Sequence, residues 1–123
     1  MTHVLDSTVL IDVLRDHPGA IAFLRSAEAR FSASEVTRVE ILRGLRAPER
    51  APTERLFQLI DWRPVDQPIA QLAGELGRRF RKSHAGVGVA DLIVAATAEH
   101  LGLPVATANT KHFPMFPKLK PPY

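Results

Sequence analysis

The 123-residue sequence predicts a small α/β domain, a mainly parallel central sheet of four to five short strands with helices on both faces. Three observations lead there. Short apolar runs alternate with longer stretches whose apolar residues recur at three- and four-residue spacing, the patterns of strand and helix in turn. At 46% hydrophobic, the chain can bury one core and is too short for two ordinary domains, so residues 1–123 read as one domain. Turn formers and prolines fall between the runs and leave the repeating unit strand, helix, strand.

Val4-Leu5 is the first apolar run, and it ends on a lone carboxylate, Asp6, where a strand should give way to a helix. The helix expected over Ser7 to Arg15 carries Val9, Leu10, Val13 and Leu14 on one side; a step of about 100° per residue puts Asp6 on that side and Asp12 elsewhere. His17-Pro18-Gly19 reads as a break before a second helix, Ala20 to Ala29. Arg30 to Ala33 is a weak strand, Ser34 an N-cap, and Glu35 to Leu45 a third helix halted by Ala47-Pro48. Pro52 suits the first turn of a fourth helix reaching Asp61.

Trp62 to Val65 reads as a further strand, and the helix opening at Gln67-Pro68 turns Ile69, Leu72, Ala73, Leu76 and Phe80 inward. Past a loop containing Gly86 and Gly88, Val89 to Leu101 is apolar on several sides, as a central helix is, and Gly102 closes it in the left-handed conformation. Pro104 to Ala108 is the last strand. From about Phe113, Pro114, Pro117, Pro121 and Pro122 exclude regular structure, so an extended tail should lie across the body, covering an edge of the sheet, or hang free.

With no cysteine, disulfides, thiolate metal sites and cysteine nucleophiles are excluded together, and five scattered histidines give no structural zinc spacing. No apolar run approaches the ~20 residues of a membrane helix, and the first residues lack signal-peptide grading, so a soluble, cytoplasmic protein without a membrane partner is expected. Sixteen Lys and Arg against 13 Asp and Glu give a net +3, which leans toward a polyanionic partner. Arg78, Arg79, Arg81 and Lys82 crowd together ahead of Asp91; such a band suits a nucleic-acid backbone and a solvated helix face equally.

Sites in parallel sheets form beyond the carboxyl ends of the strands. An inward-facing Asp6 there is costly without charge compensation, and a divalent cation is one that leaves the acid functional. Glu40 shares a helix side with Val36, Thr37 and Gly44, a side on which glycine allows close backbone approach; by itself it also suits a surface acid paired with Arg38 or Arg43. Asp91 opens the most apolar helix, near the same rim, where capping alone would also favour it. Asn109 follows the last strand as a turn former or a rim residue, and His112 is a possible ligand.

Taken together, these stretches resemble PIN domains, and specifically the VapC toxins of bacterial toxin-antitoxin pairs. Val4-Leu5-Asp6-Ser7-Thr8-Val9-Leu10-Ile11 is similar to the first motif of that family, in which the aspartate binds metal and the hydroxyl residues Ser7 and Thr8 help hold it. Ser34 to Gly44 resembles the second, assigning the acidic role to Glu40 and a supporting one to Thr37. Val89 to Ala96 resembles the third, with Asp91 as metal ligand. Thr107 to Phe113 resembles the fourth, in which Thr107 and Asn109 are supporting; where many relatives carry another acid, this chain has Asn109 and His112.

The resemblance implies endonucleolytic cleavage of RNA, with Asp6, Glu40 and Asp91 as catalytic residues and metal ligands. Three carboxylates suit a hard, oxygen-loving cation, Mg²⁺, with Mn²⁺ able to substitute. It further implies a VapB-type antitoxin whose peptide blocks the acids, and a toxin homodimer within a toxin-antitoxin hetero-oligomer. Arg78, Arg79, Arg81 and Lys82 would track the RNA backbone. A phosphohydrolase with Asp6 as nucleophile would want an acid two residues on, where Thr8 stands. An RNA- or protein-binding domain with little or no catalysis is the other reading, and no helix-turn-helix spacing favours a DNA-binding module.

Overall fold

The structure is a computed structural model that describes residues 2–80 and 86–123. Four strands, β1 (Val4–Leu5), β2 (Phe31–Ser34), β3 (Ile60–Arg63) and β4 (Val105–Ala106), form one sheet in the order β3-β2-β1-β4, every pair parallel. Six α-helices connect them among the described residues: α1 (Ser7–Leu14), α2 (Pro18–Ser26), α3 (Glu35–Arg43), α4 (Arg50–Phe57), α5 (Gln67–Phe80) and α6 (Val89–Leu101). The chain runs outward from β1 through β2 to β3, then returns to the other side of β1. The order therefore reverses between β1 and β4, and the crevice at such a reversal is where open parallel sheets bind ligands.

Alternation along the short strands divides the core between the two faces. Val4 and Val105 pack with Ile69, Ala73 and Leu76 of α5 and Val94, Ala95 and Ala98 of α6. Leu5 and Ala106 point the other way, among Val9 and Leu10 of α1, Phe31, Ala33 and Leu56, Phe57 of α4. β1 is buried on both faces, with Val4 and Leu5 at 0% exposure, as expected of a central parallel strand. Helix α3 packs against both α1 and α6, which brings its residues beside the ends of both.

Several boundaries differ from the sequence expectation, each for a local reason. The His17-Pro18-Gly19 break is itself the start of α2: His17 Nδ1 accepts from Gly19 and Ala20 N–H, and Pro18 occupies the first turn. Helix α4 stops at Phe57 rather than reaching Asp61, and β3 begins at Ile60, two residues earlier than expected. Ile60 is buried opposite Phe31, and the Trp62 indole N–H donates to the Phe57 carbonyl at 2.9 Å, tying strand to helix end. Gly44 makes no close backbone approach and serves as the C-cap of α3. The closer approach is at Gly77, where a Cβ would lie 2.9 Å from Leu92 Cδ1, so a larger residue there would make the Leu92 side chain shift.

Two terminators behave as anticipated: Ser34 accepts from Val36 N–H at 3.1 Å, and Gly102 has φ 66°. The proline-rich tail lies across the body. Phe113 is fully buried, and Met115, Phe116 and Leu119 rest against the α5–α6 core, beside the edge strand β4. The tail ends where the Tyr123 hydroxyl donates to Asp12 Oδ2 at 2.5 Å, its ring against His17 and Phe23.

Candidate active site

Asp6 follows β1 directly, and its N–H donates to Ala106 O of β4 at 2.9 Å, which fixes it at the reversal of strand order. It occupies the N-cap position of α1 yet makes no side-chain cap hydrogen bond. A carboxylate there ordinarily accepts from the helix's first free N–H groups. Instead Asp6 Oδ2 accepts from the Thr8 hydroxyl at 2.9 Å and the Thr107 hydroxyl at 2.8 Å, while the residue is only 4% exposed. Each hydroxyl also accepts a backbone N–H, Ala108 on Thr8 and Asn109 on Thr107, so both donors are oriented in turn. Asp6 Oδ1 makes no hydrogen bond among the described residues.

Asp91, in the first turn of α6, accepts from Gly88 N–H at 3.2 Å through Oδ2. The capping expectation is thus met, and it does not exhaust the residue. His112 Nδ1 lies 3.3 Å from the same oxygen, and His112 Nε2 lies 3.1 Å from Asn109 Nδ2. Glu40 is half-buried on α3, with the Ser7 hydroxyl near enough to favour its charged form.

Burial, then the negative charges of Asp6 and Asp91, raise the Glu40 pKa above its ordinary value, against the lowering effect of Ser7 and Arg43. Asp91 is raised as well, by burial first; the Gly88 N–H and His112 pull the other way and Asp6 adds to the rise. Three acids from three helix starts and faces therefore share one field that this chain's own cations leave under-compensated. They share it without closing into a single shell: among the described residues no three His, Asp or Glu side chains stand close enough to hold one ion together. The donors the three acids offer are all carboxylate oxygens, the atoms a hard cation takes.

The expected supporting residues divide. Thr8 and Thr107 touch Asp6 directly, Ser7 lies near Glu40, and Asn109 reaches Asp91 through His112. Thr37 is fully buried with its hydroxyl unpartnered, so it contacts none of the three. Arg78 and Arg79 lie at the end of α5, Arg78 3.6 Å from Glu75; Arg81 and Lys82 lie outside the described residues. Sequence reasoning missed a cleft of about 120 Å³ opening beside Glu40, walled by Ile11, Leu14, Ile41 and Leu45 and lined also by Arg15 and Glu49. Its one signal was the continuation of the apolar side of α1 through Leu14.

The fold and site define a class, and sequence comparison agrees with it: the PIN domain family matches residues 3–118, and the chain belongs to that family. Within it, the chain is 41% identical to Ribonuclease VapC19 of Mycobacterium tuberculosis, covering 98% of both chains. It is 40% identical to Ribonuclease VapC10 of the same organism, over 98% of this chain and 92% of that one. Among solved structures, a toxin-antitoxin complex from Klebsiella pneumoniae superposes with a TM-score of 0.85 at 24% identity, over 99% of this chain and 98% of the other, a likeness of fold.

Proposed function

We propose that this protein is the toxin of a type II toxin-antitoxin pair, an Mg²⁺-dependent endoribonuclease that hydrolyses RNA phosphodiester bonds. The observation that carries the reading is the shared field of Asp6, Glu40 and Asp91, with Glu40 and Asp91 raised partly by the charge of their neighbours. Identity of about 40% over nearly the full length to two proteins named as ribonucleases supports the reaction class.

Asp6 and Asp91 would hold the cation, Asp6 Oδ2 being tied by two hydroxyl donors and Asp91 Oδ2 by the Gly88 N–H with the His112 imidazole 3.3 Å away, and Glu40 would complete the acidic side. When bound, Mg²⁺ (or Mn²⁺) supplies Lewis acidity toward the phosphodiester and lowers the pKa of water. Thr8 and Thr107 hold Asp6 in one orientation; Ser7 favours the charged form of Glu40. A Glu40 carboxylate whose proton affinity is raised is suited to take a proton from the attacking water. Arg78 and Arg79, with Arg81 and Lys82, would bind the RNA backbone electrostatically.

A VapB-type antitoxin is the partner this reading implies, and the cleft beside Glu40, with its aliphatic walls, Arg15 and an Arg46-paired Glu49, is a place where a segment of it could lie. Exposed Val39 and Leu42 on α3 and Val89 on α6 support further protein contacts, including a homodimer. The test is RNA cleavage by purified protein with Mg²⁺ and with EDTA, beside Asp6→Asn and Asp91→Asn variants. Cleavage that survives EDTA or either substitution would remove the reading, and RNA binding without any cleavage would favour a purely binding domain.

A further inference from the structure

Asn109 caps a single 3₁₀ turn, Thr110–His112, whose N–H of His112 donates to the Asn109 carbonyl at 3.2 Å. Residues three apart eclipse in such a turn, so the Asn109 and His112 side chains are brought together by backbone geometry. The nearer amide atom is Nδ2, 3.1 Å from His112 Nε2. An amide nitrogen can only donate, so with the amide in this orientation Nε2 accepts and the ring proton of the neutral imidazole is assigned to Nδ1. That nitrogen faces Asp91 Oδ2 at 3.3 Å, where Gly88 N–H already donates.

We propose that Asn109 and His112 are positioning residues: Asn109 sets the Nδ1–H tautomer of His112, which donates to Asp91 Oδ2 and leaves Oδ1 as the atom offered to a cation. The inference rests on the metal-dependent reading above. Asp91 would then match Asp6: two hydroxyls hold one oxygen of Asp6, and the Gly88 N–H, with the imidazole nitrogen 3.3 Å away, would hold one oxygen of Asp91. Orientation of a ligand by an outer hydrogen bond is worth about 10–100-fold in metal affinity. His112 acts through Asp91 and need not touch the ion.

The first test needs neither metal nor RNA. Long-range proton-nitrogen NMR on histidine-labelled, metal-free protein at mildly alkaline pH should give the Nδ1–H pattern for His112, identified by its loss in His112→Asn. An Nε2–H pattern overturns the inference. The second test measures Mg²⁺ affinity by calorimetry. In Asn109→Asp the new carboxylate can only accept, which draws the ring proton to Nε2 and turns a lone pair on Asp91, so affinity should fall about tenfold. Were the position a cation ligand, the added acid would raise affinity, which overturns the inference.

A third comparison uses reach. An asparagine at 112 can place an amide N–H near the Nδ1 position, whereas a glutamine reaches toward Nε2. His112→Asn should therefore keep most of the affinity that His112→Ala and His112→Gln lose; equal losses in all three overturn the inference. His112 is 47% exposed, so these variants should fold. Wild-type protein that has the Nδ1–H tautomer and binds Mg²⁺ yet cuts no RNA would end the nuclease reading and leave this one standing.

Discussion

Thr107 Oγ1 donates to Asp6 Oδ2 across 2.8 Å, a bond between residues 101 positions apart. It joins the ends of β1 and β4 at the reversal of strand order, and with Thr8 it replaces the cap bond that Asp6 does not make. Thr107→Val keeps the branched shape and removes the donor. It should cost about 1.5–3 kcal/mol, the range for a bond to a charged group, read by urea denaturation of metal-free protein. A variant as stable as wild type would mean the bond contributes nothing to folding.

Asp6→Asn should separate stability from activity. The amide oxygen still accepts from both hydroxyls, while the charge that raises Glu40 and Asp91 disappears. In EDTA the variant should be more stable than wild type by about 0.5–1 kcal/mol, a modest gain because Glu40 and Asp91 are only half-buried. RNA cleavage should be abolished. A less stable variant in EDTA would contradict the like-charge account.

The raised pKa values of Glu40 and Asp91 set a pH dependence. A carboxyl raised on folding prefers its protonated form in the native state, so its contribution is complete below the unfolded values of 4.5 and 3.8 and is lost as pH rises through the folded ones. Metal-free protein should lose that contribution with rising pH, and the Mg²⁺-induced rise in Tm should grow over the same interval. His3 acts oppositely: its pKa is lowered by burial beside Phe23 and Phe31, so its contribution is present above 6.5 and lost as pH falls. A Mg²⁺-induced shift in Tm that ignores pH would rule out the carboxylates as ligands.

Arg78→Glu with Arg79→Glu should weaken RNA binding and flatten its salt dependence. If both contact phosphates, the slope of log K against log salt should fall by roughly 1.4, about 0.7 for each contact with single-stranded RNA. An unchanged slope in a filter-binding titration would make this end of α5 a solvated helix face.

Tyr123→Phe tests the tail. The hydroxyl bond to Asp12 is partly exposed, so its loss should cost about 0.5–1.5 kcal/mol, with hydrogen exchange quickening in α1 and α2. Phe113→Ala, at a position 1% exposed, should cost about 3–5 kcal/mol by thermal melting. Similar small losses in both would mean that the tail is not anchored at Phe113.

Periodicity and punctuation carried most of the fold into view, because apolar spacing defines the helices and Ser34 and Gly102 mark ends by their own chemistry. Boundaries set by distant partners escaped: β3 begins at Ile60 because it pairs with Phe31, some thirty residues away, while the Trp62 bond to the Phe57 carbonyl ties the strand to the end of α4. Among the site residues, Asp6 was legible from its position after an apolar run. Asp91 and Glu40 each had an ordinary explanation, and only their burial within reach of the Asp6 charge distinguishes them. Thr37 shared a helix side with Glu40 and still faces the core, since one side of a helix spans both a site and the packing beneath it.

The neighbours in the sheet are the first strand and the last. On the ribosome, Thr107 is added 101 residues after Asp6. Nascent chains and prematurely terminated fragments thus contain the first acid without the hydroxyl that orients it. A chain that stops short of β4 lacks both this donor and the strand that pairs with β1 on that side.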